Sequence, residues 1–188
     1  MKAALILIDI QNDYFPDGPL ELKGITEATE KAANLLGLFR ANRWPTFHIQ
    51  HLATKEDAFC FAPNTTGVEI NDRVKPLPDD MVIQKQYANS FRDTPLLDKL
   101  KRDEIKRLVI CGAMSHMCVD ATTRAAFDLG FDCIVIHDAC ATRDLKFAGQ
   151  VLPAEAVHGS FMAALSSGYA KVIGLNEFKS DMPPSENR

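Results

Sequence analysis

Several absences narrow the field before any motif is read. No apolar run approaches the roughly 20 residues that a membrane helix needs; Ala3 to Ile8 and Leu108 to Ala113 stop far short of it. The five cysteines, Cys60, Cys111, Cys118, Cys133 and Cys140, include no Cys-x-x-Cys pair and are odd in number, so reduced thiols in a cytoplasmic compartment are expected. Neither GxGxxG nor GxxxxGK followed by Ser or Thr occurs, which argues against a phosphate or nucleotide reaction. Charge of one sign is also scarce: 21 basic residues stand against 25 acidic ones, for a net charge of -4. The one basic segment, Lys99 to Lys106, is interrupted by Leu100, Asp103, Glu104 and Ile105, so nucleic acid is not an expected partner. The opening MKAALILIDIQ has one lysine and an apolar run cut by Asp9, which predicts a first strand rather than a signal peptide.

What is present suits one packed domain. A chain of 188 residues that is 46% hydrophobic can bury a core without disulfide or metal support. Continuous apolar segments at Ala3 to Ile8, Arg107 to Cys111 and Cys133 to Ile136 read as strands buried on both faces, joined by shorter ones at 46–50, Met81 to Gln84 and Ala170 to Ile173. Between them lie helical patterns: Thr26 to Arg43 with Thr26 as its cap, Thr94 to Leu100, Cys118 to Leu129, and a segment from Pro153 to Ser167. Strands alternating with helices predict a three-layer α-β-α domain over residues 1–178, with a six-stranded, mainly parallel sheet and a site at the carboxyl ends of its strands. Residues 179–188 are expected to form a flexible tail. Residues Leu52 to Pro78 form a long excursion, and a loop is expected through Asp138, Cys140 and Thr142.

Three polar residues fall just past apolar strands: Asp9, Lys85 and Cys118. On adjacent strands they would share one rim. A thiol at a helix start faces free amides and the positive end of the helix dipole, which favour thiolate, and a nearby lysine acts the same way. An aspartate beside them opposes ionisation unless it shares the proton, so the three form one coupled unit suited to nucleophilic attack on a carbonyl.

The segments ALILIDIQNDYF, VIQKQYANSF and VICGAMSHMCVDATTRAAFDLGFDCIVIHDAC together resemble the isochorismatase-like cysteine hydrolases. That family includes nicotinamidases, N-carbamoylsarcosine amidase, ureidoacrylate hydrolases and streptothricin hydrolase. The resemblance implies Asp9 as general base, Lys85 as its electrostatic partner and Cys118 as nucleophile. It also implies a cis peptide between Ala113 and Met114, and an oxyanion hole made by the amides of Met114 and Cys118. True isochorismatases lack the cysteine, so Cys118 argues against isochorismate as substrate. The expected activity is cleavage of a C-N bond in a small amide, ureido or carbamoyl compound through a thioester, without a cofactor, by a homodimer or homotetramer.

Metal-dependent nicotinamidases carry an Asp-x-His pattern after the second strand, whereas this chain reads HIQHLATKEDAF there. His48, His51 and Asp57 would have to converge from strand and loop to hold an ion, so no metal is expected. A nicotinamidase-type metalloenzyme and a nonenzymatic small-molecule-binding protein stand as the alternatives. For the substrate pocket, Phe15, His51, Phe59, Tyr87, Phe91, His116 and Met117 are the candidates, all placed on or beside rim loops. His158 reads as a surface or interface residue within a helix.

Overall fold

A computed structural model of the chain describes residues 2–78 and 80–181. Its strands are β1 (Ala3–Ile8), β2 (Thr46–His51), β3 (Met81–Lys85), β4 (Arg107–Ala113), β5 (Asp132–Ala141), β6 (Leu145–Phe147), β7 (Gln150–Leu152) and β8 (Lys171–Ile173). Its helices are α1 (Ile25–Ala41), α2 (Leu96–Arg102), α3 (Asp120–Asp128), α4 (Ala154–Ser166) and α5 (Leu175–Ser180). Six strands form one sheet in the order β3-β2-β1-β4-β5-β8, every neighbouring pair parallel. Leu5 to Ile8 and Leu108 to Cys111 are buried on both faces because helices cover both. On one side α1 meets α5 through the stacked rings of Phe39 and Phe178, and elsewhere α3 packs on α4. Among the described residues no helix is long and apolar enough to cross a membrane.

The strand order reverses direction between β1 and β4, and the crevice past their carboxyl ends is where such sheets hold ligands. That crevice depends on Gly112. It pairs with Ile8 at φ +121°, and a Cβ there would lie 2.0 Å from the Ile8 carbonyl oxygen. The bare backbone lets β4 close on β1 beside the point where the chain leaves for Asp9.

Several expectations change. The loop expected around Asp138 and Cys140 belongs to β5, which runs on to Ala141. Pairing moves from Ile110 with Val135 to Gly112 with Cys140, so β5 bulges around Asp138 and then rejoins β4. The Asp138 carboxylate anchors the bulge by accepting the Leu175 amide at 2.9 Å. Helix α1 starts after Gly24, in the left-handed conformation, instead of on a Thr26 cap. The β6-β7 hairpin and α5 have no counterpart in the sequence reading. Helix α5 takes in Lys179 and Ser180, the first residues of the expected tail; 182–188 lie outside the described residues.

His48 is buried on β2, its Nε2 3.5 Å from Asp80, whose carboxylate also pairs with Arg40. Burial pushes the imidazole down to about 4, with Arg40 adding to the shift and Asp80 only partly opposing it.

Two measurements check this packing. Gly112→Ala should lower unfolding free energy by about 3 kcal/mol or more, since it adds both a backbone clash and a strained φ; a loss under about 1 kcal/mol in urea denaturation would contradict the close approach. His48 is neutral in the fold and protonates more readily in the unfolded chain, so stability should fall as pH drops from 6.5 towards 4, by up to about 3 kcal/mol from this group. Urea titrations across that range should show His48→Gln losing less stability than the parent by that margin.

Candidate active site

The rim past the carboxyl ends gathers side chains from four neighbouring positions of the sheet. Asp9 follows β1 with φ +51°, its amide donating to the Ile49 carbonyl at 3.0 Å. This left-handed residue turns its carboxylate inward, where it is 0% exposed. Lys85 ends β3, two strands away, with β2 between them. Strands spaced about 4.8 Å apart put roughly 10 Å between β3 and β1, a span that suits a lysine reaching over β2. Its Nζ stands 2.7 Å from Asp9 Oδ2 and 3.2 Å from His51 Nδ1, and donates to the Tyr87 carbonyl at 3.1 Å. The ammonium is thus ion-paired with Asp9 and hydrogen-bonded to His51 and the Tyr87 carbonyl. An ammonium only donates, so His51 accepts at Nδ1 and its neutral ring carries the proton at Nε2.

Cys118 completes the cluster. One donor atom each from Asp9, His51 and Cys118 lie within 4.8 Å of one another. The thiol does not open α3 as expected; it sits in a π-helical turn, Ser115–Val119, that precedes that helix. The Met114 carbonyl closes this turn by accepting the amides of Met117 at 3.0 Å and Val119 at 3.2 Å. The Ala113-Met114 peptide leading into it is cis.

The electrostatics correct the thiolate expectation. Burial, reinforced by the Asp9 carboxylate, pushes the Cys118 thiol well above its usual range, and Lys85 only partly opposes this. Burial alone would lower Lys85, but Asp9 and Cys118 outweigh it and hold the ammonium above its ordinary value. His51 is lowered by burial, with Lys85 assisting and Asp9 resisting. At neutral pH the cluster therefore holds a thiol, an ammonium and a neutral imidazole.

The stretch after Asp9 straps the long excursion across the sheet. Gln11 donates to the carbonyls of His51 at 2.9 Å and Val68 at 2.8 Å, and accepts the His51 amide at 2.7 Å. Asn12 donates to the Thr66 carbonyl at 2.9 Å, and its amide donates to the Glu69 carbonyl at 3.0 Å. The Asp13 carboxylate accepts the amide of Phe61, a residue at φ +58°. That carboxylate lies over Gly67, where a Cβ would sit 1.8 Å from Oδ1. Held this way, Phe61 packs edge-on against Tyr14 at 4.9 Å and lies 5.2 Å from His51. Tyr14 and Phe61 thus make an aromatic wall beside the cluster that sequence reasoning missed; the polar run IQND was its only signal.

The pocket candidates separate accordingly. His51 joins the cluster, and Tyr87 supplies a carbonyl to Lys85 while its ring lies under the Arg92 guanidinium at 3.6 Å. Leu52, Lys85, Tyr87 and Arg92 line a cleft of about 170 Å³. Phe15 is buried in the core, and Phe91 stacks on Phe131. Phe59 is 71% exposed and lines a different cleft of about 410 Å³ with Pro16, Ala58 and Cys60. His116 contacts Thr142 and the Phe161 ring, and Met117 is exposed on the turn.

The donor set does not fit a resident metal. His48 faces Asp80 within the fold, Asp57 is exposed on its loop, and neither joins His51. Within the Asp9, His51 and Cys118 set, the Lys85 ammonium already supplies the positive charge that Asp9 and His51 contact.

The protein-family model that matches the chain is the isochorismatase domain, over residues 3–173. The uncharacterized isochorismatase family protein YddQ of Bacillus subtilis (strain 168) is 49% identical over 178 residues, 95% of this chain and 99% of that protein. Streptothricin hydrolase of Streptomyces noursei is 34% identical over 145 residues, covering 77% of this chain and 56% of its own length. The crystal structure of an isochorismatase hydrolase-like protein from Oleispira antarctica superposes with a TM-score of 0.91 at 47% identity, covering 95% of this chain and 96% of that one.

If Asp13 ties down the excursion, Asp13→Ala should raise hydrogen exchange at Phe61 and its neighbours to Asn71 by at least about ten-fold, since a buried amide loses its charged acceptor. Amides of β1 and β4 should keep their protection. Unchanged exchange in the excursion would show that the strap does not depend on this carboxylate.

Proposed function

The chain belongs to the isochorismatase family, and from that premise we propose that it is a cysteine-dependent hydrolase cleaving a C-N bond of a small amide, ureido or carbamoyl compound. The observation that carries this reading is the buried Asp9-Lys85 contact at 2.7 Å with the Cys118 thiol in the same enclosed cluster. Likeness to streptothricin hydrolase supports hydrolysis as the reaction class.

In this scheme Cys118 Sγ attacks the substrate carbonyl as Asp9 takes its proton. A resting thiol needs such a base, because burial keeps it protonated until a substrate is in place. The amides of Met114 and Cys118 receive the developing oxyanion. Asp9 passes the proton to the departing amine or ammonia, leaving a thioester on Cys118. Water, deprotonated by the same carboxylate, then releases the acid and restores the thiol. Lys85 holds Asp9 in place and balances its charge throughout. His51, with Nδ1 engaged by Lys85, has its Nε2 proton left to orient the substrate.

The reading extends to a cytoplasmic enzyme, supported by five free cysteines. It also extends to a homodimer or homotetramer, supported by the apolar Phe147, Val151 and Leu152 that the β6-β7 hairpin leaves exposed. No cofactor enters the scheme.

Screening ammonia release across small amides, ureido acids and carbamoyl compounds should identify a substrate. With it, Cys118→Ala should lose at least about a thousand-fold in turnover, and Asp9→Asn should fall sharply too. Mass spectrometry of the parent enzyme should find an acyl group on Cys118 that forms and decays at the rate of turnover. Near-normal turnover by folded Cys118→Ala would overturn the scheme.

A further inference from the structure

We propose that His158 is a positioning residue that holds the oxyanion turn from α4 through Ser115; this rests on the cysteine-hydrolase reading above. Ser115 is the first residue of the π-helical turn, directly after Met114 and three before Cys118. Its side chain is fully buried, so each polar contact it makes is made with protein. The hydroxyl lies 3.2 Å from the Ala141 carbonyl and 2.8 Å from His158 Nδ1.

Proton counting assigns the roles. A serine hydroxyl has one proton, and the Ala141 carbonyl can only accept it. With that proton given to Ala141, we take the 2.8 Å contact to run the other way, His158 Nδ1–H donating to the Ser115 oxygen. Ser115 is thereby fastened to the end of β5 by the proton it gives and to α4 by the one it receives. His158 follows Val157, whose buried side chain anchors this part of α4, and the helix packs against the turn. His158, read from the sequence as a surface or interface residue, is half-buried, and its Nδ1 reaches the turn that follows Met114 and carries Cys118.

His158 touches no reacting atom in this scheme. Its effect would come through the position of the Met114 and Cys118 amides, and displacement of such donors by a fraction of an ångström weakens oxyanion stabilisation steeply. A reaction on Cys118 that builds an oxyanion should therefore respond to His158, whereas one that builds none should not.

Two reagents make that distinction without knowledge of the natural substrate. Iodoacetamide alkylates sulfur by displacing iodide from carbon, with no oxyanion. p-Nitrophenyl acetate acylates sulfur through a tetrahedral oxyanion: the S–C bond forms, the C–O bond breaks, p-nitrophenolate leaves and the thiol proton passes to Asp9. In the parent protein both should modify Cys118, as mapped by mass spectrometry. In His158→Ala the acylation rate should fall by at least about ten-fold while alkylation stays within about two-fold. His158→Asn, whose side-chain amide can donate from the place of Nδ1, should recover most of the loss. Ser115→Ala, which breaks both fastenings, should lose at least as much acylation as His158→Ala, and the double variant should lose no more than Ser115→Ala alone, because the serine is already gone from the linkage to His158. Acylation by His158→Ala at the parent rate, or equal loss of both reactions, would overturn the positioning role. A parent protein alkylated at Cys118 but never acylated there would overturn the cysteine-hydrolase reading, and this role with it.

Discussion

The contact between Lys85 and Asp9 organises the molecule, because two charges fully removed from water must satisfy each other and their remaining hydrogen-bonding capacity. An ammonium with only one partner there would be costly. Lys85 finds its further partners in the ring of His51 and the carbonyl of Tyr87, each brought to it by a different stretch of backbone. The pairing of β2 with β3 sets His51 opposite Lys85, and the left-handed turn at Asp9 brings the carboxylate to the same point. The thiol of Cys118 then enters a space whose charge is already balanced. Its high affinity for its proton follows from that setting and from burial.

Holding this arrangement calls for backbone approach closer than side chains allow. Gly112 permits it between β1 and β4, and Gly67 permits it under the Asp13 carboxylate. Both glycines act at the borders of the cluster, one beneath the turn to Cys118 and the other within the excursion, against Asp13. The strap from Gln11 to Asp13 joins these borders. It consists of side-chain bonds to backbone groups that no strand or helix satisfies, which allows a long irregular segment to lie on the sheet without leaving buried amides unpaired. Its consequence for recognition is the placement of Phe61, and with it Tyr14, next to His51.

Much of this was legible in the residues themselves. Runs such as ALILI and LVIC are apolar at every position, which suits strands covered on both faces, and their alternation with amphipathic helices points to a parallel sheet between helical layers. Because sites in such sheets lie past the carboxyl ends of the strands, Asp9, Lys85 and Cys118 stand out as polar residues at those ends. Their convergence depended on strand order, which the sequence left as a condition. The membership of Lys85 also required a long side chain, and its place two strands from Asp9 was hidden because strand order is not strand sequence.

What the tertiary structure alone decided concerns groups whose partners lie far along the chain. Phe59 and Phe61 are equivalent by composition, and only the Asp13 carboxylate, 48 residues from Phe61, selects the one that reaches the cluster. His48 and His51 stand three residues apart, and β2 turns them to opposite faces and gives one to Asp80 and the other to Lys85. The state of Cys118 likewise escaped local reasoning. A helix start argues for a thiolate, but desolvation and the adjacent carboxylate, both set by distant segments, outweigh it. Sequence determines which residues are apolar, where strands end and which chemistry is available; burial and pairing arise from contacts across the chain, and those govern which residues meet and in what protonation state.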